Sequence, residues 1–340
     1  MVSRLVEVAG YAGVSEATVS RVLNGKPGVS QATRAAVLTA LDVLGYERPP
    51  QLRGRANRLV GLVVPEMSNP VFPAFAEVVG STLAQRGFTP VLCTRTLAGM
   101  QESDYVDMLL EHQVAGAVFV CGLHSELAAD HRHYGRLAER GLPVVAVNGI
   151  AEDLKIPCVS ADDALAVELA VRHLASLGHE RIGLAVGGQG HIPAARKRAA
   201  FLVAMREHLG VADAGPDIVE TMYTLEGGAS AAFQLFRRGV SGVVCGSDVI
   251  ALGAIRAARR MKLDVPADVS VVGFDDSAFM PLADPPLTTV RQPVDAMGQA
   301  VVTLLLSQIS GSNGHPEEML FEPELVVRGS TGVGPSRNGG

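Results

Sequence analysis

Two sets of residues in this 340-residue chain carry groups able to do chemistry, and in both the chemistry is recognition by hydrogen bonding. The first set is packed into one short stretch: Ser15, Glu16, Ala17, Thr18, Ser20, Arg21 and Asn24. A guanidinium such as Arg21 matches the two acceptors of a guanine edge, and a carboxylate such as Glu16 accepts from the amine of cytosine. Ala17 is sized for a thymine methyl, while Thr18 and Asn24 suit phosphate oxygens. The second set is dispersed: Asn148, Asp248 and Asp275, each at or just after the end of an apolar run. Amides and carboxylates can each bond hydroxyl groups, and a buried hydroxyl left unpaired is costly. The competing role for a lone aspartate after a strand is to form a turn or cap a helix.

The elements that must position the first set are short helices. Leu5, Val8, Ala9 and Ala12 recur at helical spacing and define one buried face. Gly13 suits a left-handed turn, Val14 fills the space beneath it, and Ser15 is placed to cap a second helix. Val19, Val22 and Leu23 form the inner stripe of that helix, which turns the first set outward. Gly25, Pro27 and Gly28 break the chain, and Ser30 is a second cap. Val37, Leu38, Leu41 and Leu44 line a third helix that Gly45 ends. Two helices joined by a tight turn and followed by a third form a helix-turn-helix head over residues 1–47, suited to lie on DNA.

Charge divides the chain in the same place. Residues 1–58 hold eight Lys and Arg against four acids, whereas the remainder holds 21 against 31. A basic head on an acidic body is expected where one end meets a polyanion. At 48% apolar residues, with no Trp, the body can build a large aliphatic core. No stretch is apolar and long enough to span a membrane, and no secretion signal opens the chain, so a cytoplasmic location is expected. Cys93, Cys121, Cys158 and Cys245 are far apart and read as free thiols without metal spacing.

The second set is positioned by a body in which strands alternate with helices. Candidate strands are 59–64, 90–94, 116–120 and 144–148, then 182–186, 218–220, 242–245 and 269–274. Candidate helices between them include 72–86, 101–112, 162–177, 194–209 and 250–261. Such alternation implies parallel sheets covered on both faces, and two series imply two doubly wound subdomains. Ligands bind beyond the carboxyl ends of such strands, so two facing subdomains make a cleft. Val71, Phe72 and Tyr223 are candidate apolar walls, Val71 and Phe72 equally reading as helix core. Gly187-Gly188-Gln189-Gly190 follows a strand but lacks the Lys-Ser/Thr of a phosphate loop, and reads as a flexible cleft loop.

The head residues Glu7-Val8-Ala9, Ala12 to Asn24, Gly25 to Ser30 and Leu44-Gly45-Tyr46 resemble the DNA-binding head of the lactose-repressor/galactose-repressor (LacI/GalR) family. The resemblance continues through Gly61 to Pro65, Ser68-Asn69-Pro70, Leu177-Gly178-His179, Val269 to Asp276, Asp284 to Pro293 and Pro323 to Thr331, in family order. It implies a ligand-responsive regulator, usually a repressor, that binds near-palindromic double-stranded DNA operators as a homodimer. It implies a periplasmic-binding-protein-like body over 59–331 that holds a sugar or related small polar effector. The chain would cross between subdomains near 159, 289 and 321, giving one subdomain of 59–158 with 290–320 and another of 159–289 with 321–331. Residues 332–340 are expected to be a disordered tail. The aspartate matching Asp275 usually bonds a ligand hydroxyl. Lys197 stands where the family usually has an effector-gripping arginine, so a point charge replaces a planar fork.

Residues 48–58 are the expected hinge. Leu52 stands eight residues before Val60, where the resemblance places a leucine that wedges into the minor groove. The segment is shorter than the resemblance implies, and Pro49, Pro50 and Gly54 disfavour more than one helical turn. Two readings stay open: an extended arm with Leu52 as wedge and Arg53, Arg55 and Arg58 as clamps, or a plain flexible linker. No Ser-His-Asp set, carboxylate pair or metal spacing can be argued, so neither an enzyme nor a cofactor is expected. A transport-type sugar-binding protein would share the body but lack the head. Glu16 is the unusual member of the recognition set, because an acid beside phosphates lowers affinity unless it reads a base. Glu16→Gln is expected to change base preference at one operator position more than the salt dependence of binding, as measured by binding-site selection at two ionic strengths.

Overall fold

The computed structural model describes residues 4–24, 26, 28–46, 58–95, 99–312 and 318–335, and falls into two compact units, 1–58 and 59–340. In the first unit α1 (Arg4–Ala12), α2 (Glu16–Leu23) and α3 (Gln31–Val43) pack around Val8, Ala9, Val19, Val22, Val37, Ala40 and Leu41. Gly13 takes the left-handed backbone (φ 65°) and Val14 N–H closes α1 on the Ala9 carbonyl at 3.1 Å. The Ser15 hydroxyl accepts from Thr18 N–H at 3.2 Å, the cap that starts α2. Tyr46 donates its hydroxyl to Glu7, tying the segment after α3 back to α1.

The second unit holds two six-stranded sheets. In chain order its elements are β1 (Leu59–Val64), α4 (Val71–Gln85), β2 (Thr89–Thr94), α5 (Glu102–Glu111), β3 (Gly116–Val120), α6 (Arg132–Glu139), β4 (Val144–Val147) and β5 (Cys158–Ala161). Then follow α7 (Asp163–Ser176), β6 (Ile182–Val186), α8 (Ile192–Leu209), β7 (Ile218–Glu220), α9 (Leu225–Arg237), β8 (Gly242–Cys245), α10 (Asp248–Arg260) and β9 (Ser270–Asp275). The last are β10 (Thr288–Arg291), α11 (Val294–Ile309), β11 (Glu318–Phe321) and β12 (Glu324–Val326). The first sheet runs β11-β5-β4-β3-β1-β2 and the second β12-β10-β9-β8-β6-β7. Every pairing is parallel except β10 with β12.

The sequence pattern is obeyed because fully buried parallel strands are continuous apolar runs, as in β1, β3 and β6. Short strands broken by polar residues escape that pattern. β5, β10, β11 and β12 complete the sheets although their apolar signal is weak, and the hydroxyls within β5 and β10 find partners far along the chain. Ser160 donates to Glu318 at 2.6 Å and Thr289 to Asp248 at 2.6 Å. The chain leaves the first sheet after β5, returns after β10 and crosses again between β11 and β12. The expected passages near 159 and 289 therefore fall inside strands, and the passages follow those strands.

The expectation of a disordered tail from residue 332 is corrected at its start. His179, 1% exposed, joins Ser241 and Ser270 at 2.9 Å each and the Gly332 carbonyl at 3.2 Å. Gly334 N–H donates to the Leu177 carbonyl at 2.8 Å. The Leu177-Gly178-His179 motif thus fastens the tail to the second sheet; residues 336–340 lie outside the described residues.

Helices α9 and α10 cross on glycines. A Cβ on Gly253 would meet the Leu225 carbonyl and the Ala229 backbone nitrogen, and one on Gly228 would meet the backbone of Ile250. Backbone cannot step aside as a flexible side chain can. Gly253→Ala is therefore expected to lower stability by about 1–3 kcal/mol, the cost of overpacking. The check is a lowered urea midpoint with an unchanged slope.

Candidate ligand cleft and DNA-facing helix

Each sheet reverses its winding once, between β1 and β3 and between β6 and β8, and crevices open at the carboxyl ends of strands beside such switch points. Both crevices belong to one cavity of about 670 Å³, within the usual size range for small-molecule sites. The first sheet contributes Pro65 and Glu66 after β1, Cys121 after β3 and Asn148 after β4. The second contributes Gly187 and Gly188 after β6, Thr221 and Tyr223 after β7, Ser247 after β8, and Phe274 and Asp275 at the end of β9. Cys121, Asn148 and Asp275 all carry positive φ (46°, 65° and 118°). Such backbone is strained for residues other than glycine, and its clustering at one cavity marks a functional site.

The floor is an ion pair. Lys197 of α8 donates to Asp163 at the start of α7, with the two side chains 5% and 7% exposed. The ammonium also lies 4.0 Å from the centroid of the Phe274 ring, where the ring quadrupole favours a cation. Burial pulls the Asp163 carboxyl above its usual range, against the opposing pull of Lys197. Asp275 is the group left open. Its Oδ1 accepts from Gln292 at 2.6 Å, while its buried Oδ2 has no partner among the described residues. Burial, and then the charge of Asp248, push its carboxyl well above the ordinary value. Its neighbour Asp276 points elsewhere, held by Arg291 at 2.8 Å and Arg328 at 2.7 Å.

Six of the seven expected cleft residues line this cavity: Val71, Phe72, Asn148, Lys197, Tyr223 and Asp275. Val71 and Phe72 open α4 and also belong to the core, so wall and core are one role there. Asp248 is the exception. It is fully buried and turned off the cavity, accepting from Thr289 at 2.6 Å and from Ser277 N–H at 2.7 Å. Burial raises its carboxyl to about 6. It braces the β9 end, while its neighbour Ser247 caps α10 and reaches the wall. The Gly187–Gly190 segment is not the flexible loop expected, for Tyr223 presses on Gly187 and the Gly190 carbonyl accepts from Leu127 N–H at 2.8 Å.

Asp163, His191 and Gln292 were not expected. Gln292 follows β10, so the strand-end rule would have found it had that strand been recognised. Asp163 hides behind Asp162, whose carboxylate caps α7 by accepting from Ala164 and Leu165 N–H at 3.0 and 2.9 Å. Among the described residues no group of three or more His, Cys, Asp or Glu is arranged to hold a metal ion.

On the separate head, α2 leaves Glu16, Ala17 and Arg21 exposed, with Thr18 and Ser20 half-buried. Ser15 and Thr18 share a hydrogen bond at 2.9 Å, and the Asn24 amide donates to the Ser20 carbonyl at 2.8 Å. These bonds fix the two ends of the helix and leave its middle free for contact. The expected hinge residues Leu52, Arg53 and Arg55 lie outside the described residues.

A helix-turn-helix unit and a two-sheet ligand cleft define a DNA-binding transcription regulator with a periplasmic-binding-protein-like domain. Comparison with known proteins agrees: residues 4–49 match the description "Bacterial regulatory proteins, lacI family" and residues 171–331 a "Periplasmic binding protein-like domain". The chain is 53% identical over 343 residues to the HTH-type transcriptional regulator reg1 of Streptomyces lividans, covering all of this chain and 99% of that protein. A solved complex of the transcriptional regulator CelR with cellobiose superposes with a TM-score of 0.72 at 32% identity, over 96% of this chain and 99% of that one. The lac repressor dimer bound to operator and the anti-inducer ONPF superposes with a TM-score of 0.70 at 27% identity, over 96% and 98%. The protein belongs to the LacI family of bacterial transcription regulators, which are not enzymes.

Breaking one side of a buried ion pair strands the other charge, which costs about 3–5 kcal/mol. Lys197→Met is expected to lose stability of that order at pH 7, and Lys197→Met with Asp163→Asn to recover most of it. The deficit of the single variant should shrink as pH falls from 7 towards 4. Without its ammonium, the buried Asp163 has a folded pKa above the unfolded value, so folding takes up a proton and acid favours the folded state. Urea unfolding of the three proteins at several pH values checks this.

Proposed function

We propose that this protein is a homodimeric repressor, acting in the cytoplasm, that reads near-palindromic operators through α2 and responds to a neutral sugar in the cleft. One observation carries the effector class: the cavity pairs its buried cation, Lys197, with Asp163 and keeps Asp275 Oδ2, a carboxylate oxygen without a partner among the described residues, in its wall. As a carboxylate acceptor, that oxygen asks for a hydroxyl donor and opposes an anion. Phe72, Phe274 and Tyr223 supply the flat apolar surfaces that sugar rings stack on. The cellobiose in the CelR complex and the operator in the lac repressor dimer support the reading by likeness. On the head, Arg21 and Glu16 are the proposed base readers, Ala17 a methyl contact, and Ser15, Thr18, Ser20 and Asn24 backbone contacts. In the hinge, Leu52, Arg53 and Arg55 are proposed to enter or flank the minor groove.

A ligand shifts a two-state protein only by its difference in affinity for the two states. A sugar that binds the closed cleft better would alter how two heads of a dimer span their half-sites. The test is selection of bound fragments from genomic DNA by the purified protein at defined salt, with and without a panel of neutral mono- and disaccharides. Near-palindromes at one fixed spacing are expected, with operator affinity changed by at least one sugar. Asp275→Ala should bind the same operator with unchanged affinity and lose the sugar response. Sites without symmetry would remove the dimeric reading, and indifference to every sugar would remove the effector class.

A further inference from the structure

The mouth of the cleft is crossed by two loops that belong to different sheets. Residues 122–127 follow β3 of the first sheet, and residues 187–191 follow β6 of the second. They meet in an isolated antiparallel bridge between Glu126 and His191, with Leu127 N–H donating to the Gly190 carbonyl at 2.8 Å. Beside it the His191 ring reaches Ser125, with Nε2 to Oγ at 3.2 Å.

The direction of that side-chain bond follows from proton accounting. Ser125 has one hydroxyl proton, and it is committed to the Gly122 carbonyl at 2.8 Å. Ser125 Oγ therefore accepts, and His191 Nε2 must carry a proton. A neutral imidazole has only one N–H, so Nδ1 presents a lone pair. That atom is buried, has no partner among the described residues, and belongs to a residue of the cavity wall. The ring is held neutral: burial, then the positive charge of Lys197, lowers His191 to about 4.

Both loops are built to hold still. Glu102, 1% exposed, accepts from Leu123 N–H at 3.1 Å and His133 Nε2 at 3.0 Å, and also from the Tyr134 hydroxyl. A Cβ on Gly122 would collide with the Glu102 carboxylate. The His124 carbonyl accepts from Ala151 N–H at 2.8 Å. On the opposite side His191 is the residue from which α8 starts, and that helix carries Lys197. A bond between two fixed loops resists opening more than one between mobile loops, because little further order has to be imposed.

We propose that His191 ties occupancy of the cleft to its closure, donating Nε2–H across the mouth to Ser125 while its Nδ1 accepts a hydrogen bond from a hydroxyl of the ligand. This deepens the effector reading above and rests on it. A carboxylate or phosphate oxygen at the same place would face a lone pair and be repelled, so His191 joins Asp275 in selecting neutral polyols. Ligand and clasp share one ring, and fixing the ring by either bond favours the other.

The experiment uses the full chain, with hydrogen exchange at the Leu127 amide and long-range nitrogen NMR of the histidine rings, first without sugar. The His191 ring is expected as the Nε2–H form. Ser125→Ala and His191→Phe should each speed Leu127 exchange about fivefold, the equivalent of one net hydrogen bond, with core amides such as Leu109 unchanged. A proton on Nδ1, or Leu127 exchange unaltered in both variants, overturns the clasp. Cellobiose and maltose are then titrated. In wild type a bound sugar should slow Leu127 exchange and shift the Nδ1 resonance, while His191→Phe should bind it at least tenfold more weakly. A sugar that binds without moving Nδ1 overturns the role of His191. Failure of both sugars, and of the wider neutral panel, to bind wild type would instead overturn the effector class and the ligand half of this proposal, leaving the clasp judged by the sugar-free exchange.

Discussion

The constraint on which the second unit depends is the one-way run of its parallel strands. A parallel strand can be followed by another only after a crossover long enough for a helix, so all the carboxyl ends of a sheet open on one edge. Two sheets of the same winding bring two such edges to one cavity. Strand ends are also where the backbone is freed from the ladder. Asn148 and Asp275 can adopt positive φ there and Cys121 can turn away from β3. The strain is held by bonds behind the wall, with Thr289 and Ser277 on Asp248 and two arginines on Asp276. A polar site in an aliphatic protein is thus a consequence of topology, with the rigid strands supplying its precision.

Within that site charge is balanced by design of the floor rather than by the ligand. Lys197 is satisfied by Asp163 and by the face of Phe274 before anything binds. A lysine at this position gives up the planar fork that an arginine would offer, and Asp163 takes up what charge remains. Acceptors are left over instead: Asp275 Oδ2, Gln292 Oε1 and His191 Nδ1 are buried without partners among the described residues. Buried acceptors are costly to leave unpaired, and three in one cavity describe a partner rich in hydroxyl donors.

Much of this was legible in the residues. Apolar runs of four to six located β1, β3, β6 and β8 because strands buried on both faces have no alternation to blur. Strand ends then pointed to Asn148 and Asp275, and the family resemblance to Lys197. The same reasoning failed for Asp248, since a residue one place past a strand end can face the wall or the core, and Ser247 took the wall. It missed Asp163 because an acid in the first turn of a helix has a local explanation. It missed Gln292 because β10 carries too few apolar residues to be recognised as a strand, its Thr289 hydroxyl being bonded to the distant Asp248, which no local pattern reveals. Gly187 read as freedom when it is room for Tyr223. Glycine marks a close approach as often as a hinge.

Closure is where such non-local bonds matter most. The core that runs from α4 and α11 to α7 and α8 is continuous, so the two sheets are coupled by apolar packing away from the mouth as well as by the loops at it. Apolar packing is non-directional and tolerates small rotations, whereas hydrogen bonds weaken steeply with misalignment. The angle between the sheets is therefore set by the directional contacts, few as they are. A ligand acts on that angle only through bonds made in one state and absent in the other. An imidazole with one nitrogen on Ser125 and the other towards the cavity joins both kinds of bond in one rigid ring. Rotating it to serve a ligand misaligns the bond across the mouth, so in the proposed reading only a ligand whose hydroxyl meets Nδ1 in the closed geometry gains the full value of both.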